Sequence, residues 1–420
     1  MRCSVAGMAL LMVVGAGLAG KSPAQQQPAF QLIHAFGAPG DGISPSSGVV
    51  FDSNGNLYGT TGAGGAYGYG TVYELSPQKD GTWIETVLHS FPNPKSTDDG
   101  SEPSGGVAID SAGNLYGTTH EGGANGAGTI FELTPGGSGR TETILYNFCS
   151  QAGCADGGGP ATAPVLGLEG NLYGSAESGF GAGEIYELAS SPLGWEESVL
   201  YTFCSQPRCI DGSAPGQVVR DGVGNLYGPT EEGGSAGGGV VFILTPPKPA
   251  GGEWKERVLH SFVGGTDGVD PTAVTLQGEV LYGTTVVGGD APGCTGGCGT
   301  VFVLTPNPAG GRPRETILHR FGDFAGGQYP VGGLAFDKAG NVYGTASFGG
   351  APCGCGLVYE LKRAGDALQY EILHDFTGSD GIEPSAGLTI DSEGNLYGTT
   401  IGGSGGGVVF EILAARVTTK

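Results

Sequence analysis

Three groups of side chains in this 420-residue sequence have types and spacings that could do chemistry. The first is acidic. His120-Glu121, Glu177 and Glu231-Glu232 stand at equivalent places after a recurring Tyr-Gly motif, where the other copies carry Gly, Val, Ser or Ile. Two carboxylates and a histidine within reach of one substrate could perform general acid–base catalysis; the same residues also read as solvated loop charge. The second group is an Asp-Gly-x-x-Pro motif carrying Asp41, Asp99, Asp156, Asp211, Asp267 and Asp380, with Gly326 in place of the aspartate in one further copy. Six carboxylates round one opening could hold Ca2+, which takes several oxygen ligands. In the competing reading each aspartate organises its own turn. No other cofactor is implied. The third group is histidine. His34, His89, His260, His319 and His374 share one place in the repeat, where Tyr146 and Tyr201 stand elsewhere, so they are expected to pack on a rim and not to converge.

Nothing matches a nucleophile elbow, a zinc signature or a phosphate loop. Gly237-Gly238-Gly239 leads into a strand and lacks the helix N-terminus that binds phosphate. Trp83, Trp195 and Trp254 recur at the starts of like segments, as packing residues or as a glycan platform. Apart from Cys3, eight cysteines fall in close pairs within Gly-rich loops. Cys149/Cys154, Cys204/Cys209 and Cys294/Cys298 read as disulfides, since no histidine accompanies them as a metal ligand. Cys353/Cys355 are one residue apart, where a bridge is strained, so that pair stays open.

These residues are positioned by a repeat. Gly55-Asn56-Leu57-Tyr58-Gly59-Thr60-Thr61 returns with its tyrosine at Tyr116, Tyr173, Tyr227, Tyr282, Tyr343 and Tyr397, at intervals of 54 to 61 residues. A period of this size means a repeat architecture. Each copy holds four short apolar runs separated by Gly, Pro, Asn and Asp, the pattern of antiparallel strands and tight turns. Asp52, Asp110, Asp221, Asp337 and Asp391 precede x-x-Gly-Asn, where the carboxylate can accept turn N–H groups. The last copy lacks its fourth strand, and a matching segment, Phe30–Phe36, stands alone at the N-terminus. A closed ring pairs the two and leaves no bare edge. The expected fold is all-β: a seven-bladed β-propeller of four-stranded antiparallel blades over 30–413, its last blade closed by the N-terminal strand. On such a fold the crossover loops and the second-to-third strand loops share one face, and function sits on loops held by a rigid scaffold.

Composition fits this picture. There are 86 glycines, yet 38% of residues are hydrophobic and come in regular runs, so a packed core is attainable. The net charge of −23 disfavours nucleic acid and anionic lipid surfaces. Residues 1–24 have the Arg2 start, the apolar Met8–Gly20 run and the Ser22-Pro23-Ala24 cleavage site of a secretory signal. Residues 414–420 form a short tail. The expectation is a secreted or periplasmic monomer, not inserted in a membrane once the signal is removed.

Leu-His-Ser-Phe, Asp-Gly-x-x-Pro, Gly-Asn-Leu-Tyr-Gly-Thr-Thr and Gly-Thr-Val-Phe-x-Leu, in that order, resemble the GloVer tandem repeats of exported bacterial choice-of-anchor proteins, over Phe30 to Leu413. The resemblance implies a secreted repeat protein without an established activity. The expected function is a non-catalytic binding or surface-interaction module with a protein or glycan ligand. The alternative is a propeller lyase or hydrolase acting on a glycan or small molecule at the channel mouth, through His120, Glu121, Glu177, Glu231 and Glu232.

Overall fold

The computed structural model describes residues 28–414 apart from 96–97, 138, 177–181, 193, 249–250, 308–310 and 366. The expected signal segment 1–24, Cys3, Glu177 and residues 415–420 lie outside the described residues.

Each repeat folds as one antiparallel sheet of four strands, and seven such sheets form the blades of a propeller. Blade 2 is typical, with Val107–Ile109, Leu115–Thr119, Thr129–Gly136 and Gly139–Asn147 running from channel to rim. Blade 1 begins at Val50, blade 3 at Val165, blade 4 at Val219, blade 5 at Gly268, blade 6 at Gln328 and blade 7 at Thr389. Two 3-10 turns, Pro207–Cys209 and Phe324–Gly326, are the helical segments among the described residues, and none could cross a membrane.

The recurring Leu-Tyr-Gly-Thr-Thr, varied to Leu-Tyr-Gly-Ser-Ala, Leu-Tyr-Gly-Pro-Thr and Val-Tyr-Gly-Thr-Ala in blades 3, 4 and 6, lies in the second strand of each blade, and each position has a separate task. The leucine is fully buried between blades, as Leu57, Leu115 and Leu172 show at 0% exposure. The tyrosine turns its hydroxyl to the Asp-x-x-Gly-Asn turn: Tyr58 donates to Asp52 at 3.2 Å, and Asp52 also accepts the Asn54 and Asn56 backbone N–H groups at 2.8 and 2.9 Å. The glycine lies under an aromatic ring of the third strand. A Cβ on Gly117 would sit 2.3 Å from Cζ of Phe131, and one on Gly59 2.4 Å from the Tyr73 hydroxyl. The first threonine ties its blade to the inner strand of the next. Thr118 donates to Thr162 O at 2.9 Å, Thr345 to Ala386 O at 2.9 Å and Thr399 to Ser47 O at 2.8 Å. The second threonine ties the strand to its own loop, as Thr119 does by donating to Glu121 O at 3.0 Å.

Seven apolar clusters fill the seven gaps between neighbouring blades. At the centre of each, the phenylalanine that ends one outer strand meets the third-strand ring of the next blade. The pairs run from Phe91–Phe131 and Phe148–Tyr186 round to Phe376–Phe410, with centroids 4.9–5.3 Å apart. Such tilted and edge-on pairs contribute roughly 0.5–1.5 kcal/mol each beyond the area they bury.

The N-terminal strand completes the ring. Phe30–Ala35 pairs antiparallel with Val408–Ile412, from Phe30 opposite Ile412 to Ala35 opposite Val408. Phe36 then meets Tyr73 of blade 1 at 4.9 Å, the same contact that the other six outer strands make.

Candidate functional site

The crossover loops and the second-to-third strand loops share one face, and a repeated hydrogen bond fixes them to each other. In each crossover the residue before the proline donates its N–H to the loop of the preceding blade, two residues before its third strand. The seven bonds are Ser44 to Gly406, Glu102 to Tyr69, Gly159 to Ala127, Ala214 to Ala182, Asp270 to Gly238, Tyr329 to Cys298 and Glu383 to Cys355, at 2.6–3.1 Å. All seven donors lie at φ between +55° and +61°, and six are not glycine. A left-handed residue before proline is costly in isolation; here the interblade bond and the packed loops hold it in place.

The four cysteine pairs, including Cys353/Cys355, are disulfides on this face. Two close crossovers, Cys149–Cys154 and Cys204–Cys209. The other two, Cys294–Cys298 and Cys353–Cys355, end on residues whose carbonyls accept the interblade bond.

Inside the ring lies a channel of about 340 Å³ lined by all seven blades. Its wall is small and polar, with Ser46, Ser104, Thr162, Gln217, Thr272 and Ser385 among backbone-exposing glycines. Glu231 is the one ionisable side chain in that wall among the described residues. Pro229 stands here where five blades carry the stapling threonine and blade 3 has Ser175, so blade 4 departs from the repeat two residues before it presents a carboxylate. A second cleft of about 500 Å³, lined by Asp221, Tyr227 and Glu279, lies between the turns of blades 4 and 5.

His120 and Glu121 belong to blade 2, and Glu231 and Glu232 to blade 4. His120 packs over Gly159, its backbone N–H donating to Glu102 O at 3.2 Å. Glu121 is exposed and pairs with Ser101 in a two-residue ladder. Glu232 is exposed opposite Ser213, and it raises the half-buried Asp270 carboxyl after the larger effect of burial. Among the described residues none of these four belongs to a cluster of three or more metal-ligating groups.

The crossover aspartates sit at the rim end of their loops and are not among the residues lining the channel. Each engages the outer strand it follows. Asp41 meets His34 Nε2 at 3.1 Å, Asp99 meets His89 at 3.2 Å, Asp267 meets His260 at 3.3 Å and Asp380 meets His374 at 3.1 Å. Where tyrosine replaces histidine, Tyr146 donates to Asp156 at 2.7 Å and Tyr201 to Asp211 at 2.8 Å, with Ser150 and Ser205 as further donors. No metal-competent cluster among the described residues contains two of these aspartates. The outer-strand histidines therefore do more than pack: four are partners of the crossover carboxylates. His319, whose crossover has Gly326, is stacked on Tyr370 at 4.1 Å, and burial pulls its pKa down to about 4.

Sequence reasoning missed a third member of these pairs. Glu85, Glu142, Glu197, Glu256 and Glu315 stand four residues before the outer-strand histidine or tyrosine, and each faces the preceding blade's aspartate. Burial, then the aspartate, raises the Glu85, Glu197 and Glu256 carboxyls to about 7, and burial raises Glu142 and Glu315 as well. All five have an Oε1 out of solvent with no hydrogen-bond partner. The available signal was their fixed spacing inside the repeat. In the other two blades the place holds Tyr370 and Phe30, whose rings stack on His319 and His374. The tryptophans pack between blades, with Trp83 against Tyr397 and Trp254 against Tyr173, both at 6.3 Å.

A sequence profile described as the Gloeobacter/Verrucomicrobia repeat matches residues 22–186 and 291–420. No curated protein matches the sequence. Among solved structures, PorZ, a surface component of the type-IX secretion system of Porphyromonas gingivalis, is 16% identical with a TM-score of 0.53. The alignment covers 90% of this chain and 47% of PorZ, so the chain spans about half of that protein's length. A fungal alcohol oxidase of the AA5 family, solved with copper, is 13% identical with a TM-score of 0.55, over 92% of this chain and 76% of its own. At these identities the likeness is one of fold.

Proposed function

We propose that this chain, which belongs to the Gloeobacter/Verrucomicrobia repeat family, is an exported propeller that binds a protein or glycan on its crossover face without catalysing a reaction. The observation that carries the reading is how the face is built. Seven main-chain bonds fix its loops, while the side chains they display differ from blade to blade. The acid–base candidates among the described residues, by contrast, are divided between blades 2 and 4. Four disulfides on the same face suit an oxidising compartment. PorZ offers an example of a propeller at a bacterial surface, by likeness of fold alone. The channel mouth, with Gln217 and Glu231 among its hydroxyls, is the part of the face we assign to ligand contact.

Glycan arrays and calorimetry on the purified protein test this. The expected result is saturable binding that Gln217→Ala and Glu231→Ala weaken about tenfold with unchanged melting, about 1.4 kcal/mol of binding energy. Binding that ignores both variants would place the ligand elsewhere on the face. Turnover of a bound glycan that is abolished in Glu231→Gln would replace the binding module with an enzyme.

A further inference from the structure

We propose that two of the five glutamate cradles, His89–Asp99–Glu142 between blades 1 and 2 and His260–Asp267–Glu315 between blades 4 and 5, each bind a divalent transition-metal ion, Zn2+ by the chemistry of one imidazole and two carboxylates. His89 Nε2 lies 3.2 Å from Asp99 Oδ2 and 3.4 Å from Glu142 Oε2. His260 Nε2 lies 3.3 Å from Asp267 Oδ1 and 3.7 Å from Glu315 Oε1. In each trio one donor atom per residue lies within 4.8 Å of the other two. Around a tetrahedral Zn2+ with bonds of about 2.0–2.1 Å, neighbouring ligand atoms stand about 3.3 Å apart. Three of the four nitrogen-to-carboxylate spacings, 3.2–3.4 Å, lie on that edge, and all four are long for a charge-assisted hydrogen bond, which is nearer 2.8 Å.

Hydrogen bonding alone leaves each trio incomplete. One nitrogen proton serves one carboxylate at a time, the glutamate must take up a proton of its own to bond the aspartate, and even then Glu142 Oε1 is shut from solvent with no hydrogen bond and Glu315 Oε1 has only His260 Nε2 at 3.7 Å. The nearby Arg320 gives its hydrogen bond to Thr266 O at 3.2 Å and acts on Glu315 only through its charge, a smaller effect than the burial that raises that carboxyl. A cation in the middle meets all three groups at once. The side chains of the first trio remain 17–21% exposed, enough for water as a fourth ligand.

The other five interfaces show why only two qualify. Tyr146 and Tyr201 bring a phenol where the nitrogen would be. Tyr370 and Phe30 replace the glutamate with a ring lying on the imidazole. His34, Asp41 and Glu85 are all present between blades 7 and 1, but their donor atoms do not converge to the same span. The ligand sets differ from the ring of crossover aspartates as a whole: each uses one aspartate, with partners from two neighbouring outer strands.

The test is titration of the chelator-stripped protein with ZnCl2 by calorimetry in 1 mM CaCl2, which occupies weak all-oxygen surface sites. Two equivalents are expected, falling to one in His89→Tyr, one in His260→Tyr and none in the double variant. Tyrosine is what blades 2 and 3 carry at that place, and melting curves check that the fold is kept. Should the tyrosine variants fail to fold, Glu142→Gln and Glu315→Gln decide the matter, each weakening its own site by at least about tenfold. Absence of saturable Zn2+ binding, or two equivalents that persist in a folded double variant, overturns the proposal.

Discussion

Glu184 shows how burial without a partner becomes a dependence on pH. Its residue is 1% exposed at the start of blade 3's third strand, and its Oε1 accepts no hydrogen bond. Burial first, then Glu197 and Asp156, pushes its carboxyl up to about 8 from the ordinary 4.5. The neighbouring Asp156 shifts the other way, because hydrogen bonds from Tyr146, Gln151 and Ser150 outweigh its own burial. The folded state thus keeps a proton on Glu184 that the unfolded chain gives up. That contribution is fully present below about pH 4.5 and is lost as the pH climbs towards 8. The melting temperature should fall between pH 5 and pH 8 and fall less in Glu184→Gln. At pH 8 the variant should be more stable than the wild type by on the order of 1 kcal/mol, with little difference at pH 5. Parallel melting series at the two pH values check it, and equal slopes for both proteins would remove Glu184 as the cause.

At the scale of the strand, the glycine of Leu-Tyr-Gly-Thr-Thr is a packing residue. Gly117→Ala would drive a methyl group to 2.3 Å from a ring that is 0% exposed. Overpacking of this kind should cost about 1–3 kcal/mol, measurable by urea denaturation. The strands, their order and their turns were legible in the sequence because each task is local: Leu57 and Gly59 recur with their neighbours, and Asp52 bonds within its own turn. The contacts between copies were not legible. A repeat tells which residues are equivalent, yet Glu142 meets His89 of the copy before it, 53 positions earlier in the chain, and nothing in either segment names the other. For the same reason the crossover aspartates could be placed in a loop from sequence, but not at its rim end beside His89 or Tyr146. The role of Glu231 was partly visible, since it breaks the repeat; that among the described acids it alone lines the channel depended on the geometry of blade 4.

At the scale of the molecule, ring closure rests on one strand from each end of the chain. Phe30–Ala35 supplies blade 7's outer strand, and Ile33 and Phe36 fill the gap to blade 1 with Val49, Leu57 and Tyr73. Deleting residues 28–36 should leave Val408–Ile412 as an open edge and uncover that cluster. Limited proteolysis and size-exclusion chromatography should then show aggregation or rapid cleavage that the intact chain does not show. The bond from Ser44 to Gly406 belongs to the same closure and is one of the seven interblade bonds before proline. Those bonds use main-chain atoms only, so the geometry asks little of the side chain beyond tolerance of a left-handed backbone. Ser, Glu, Gly, Ala, Asp, Tyr and Glu all occupy the place, and none of them is β-branched. The scaffold therefore offers seven radially arranged sockets that can be recoded one at a time, a route by which a single ring of repeats could drift from one specificity to another without refashioning its frame.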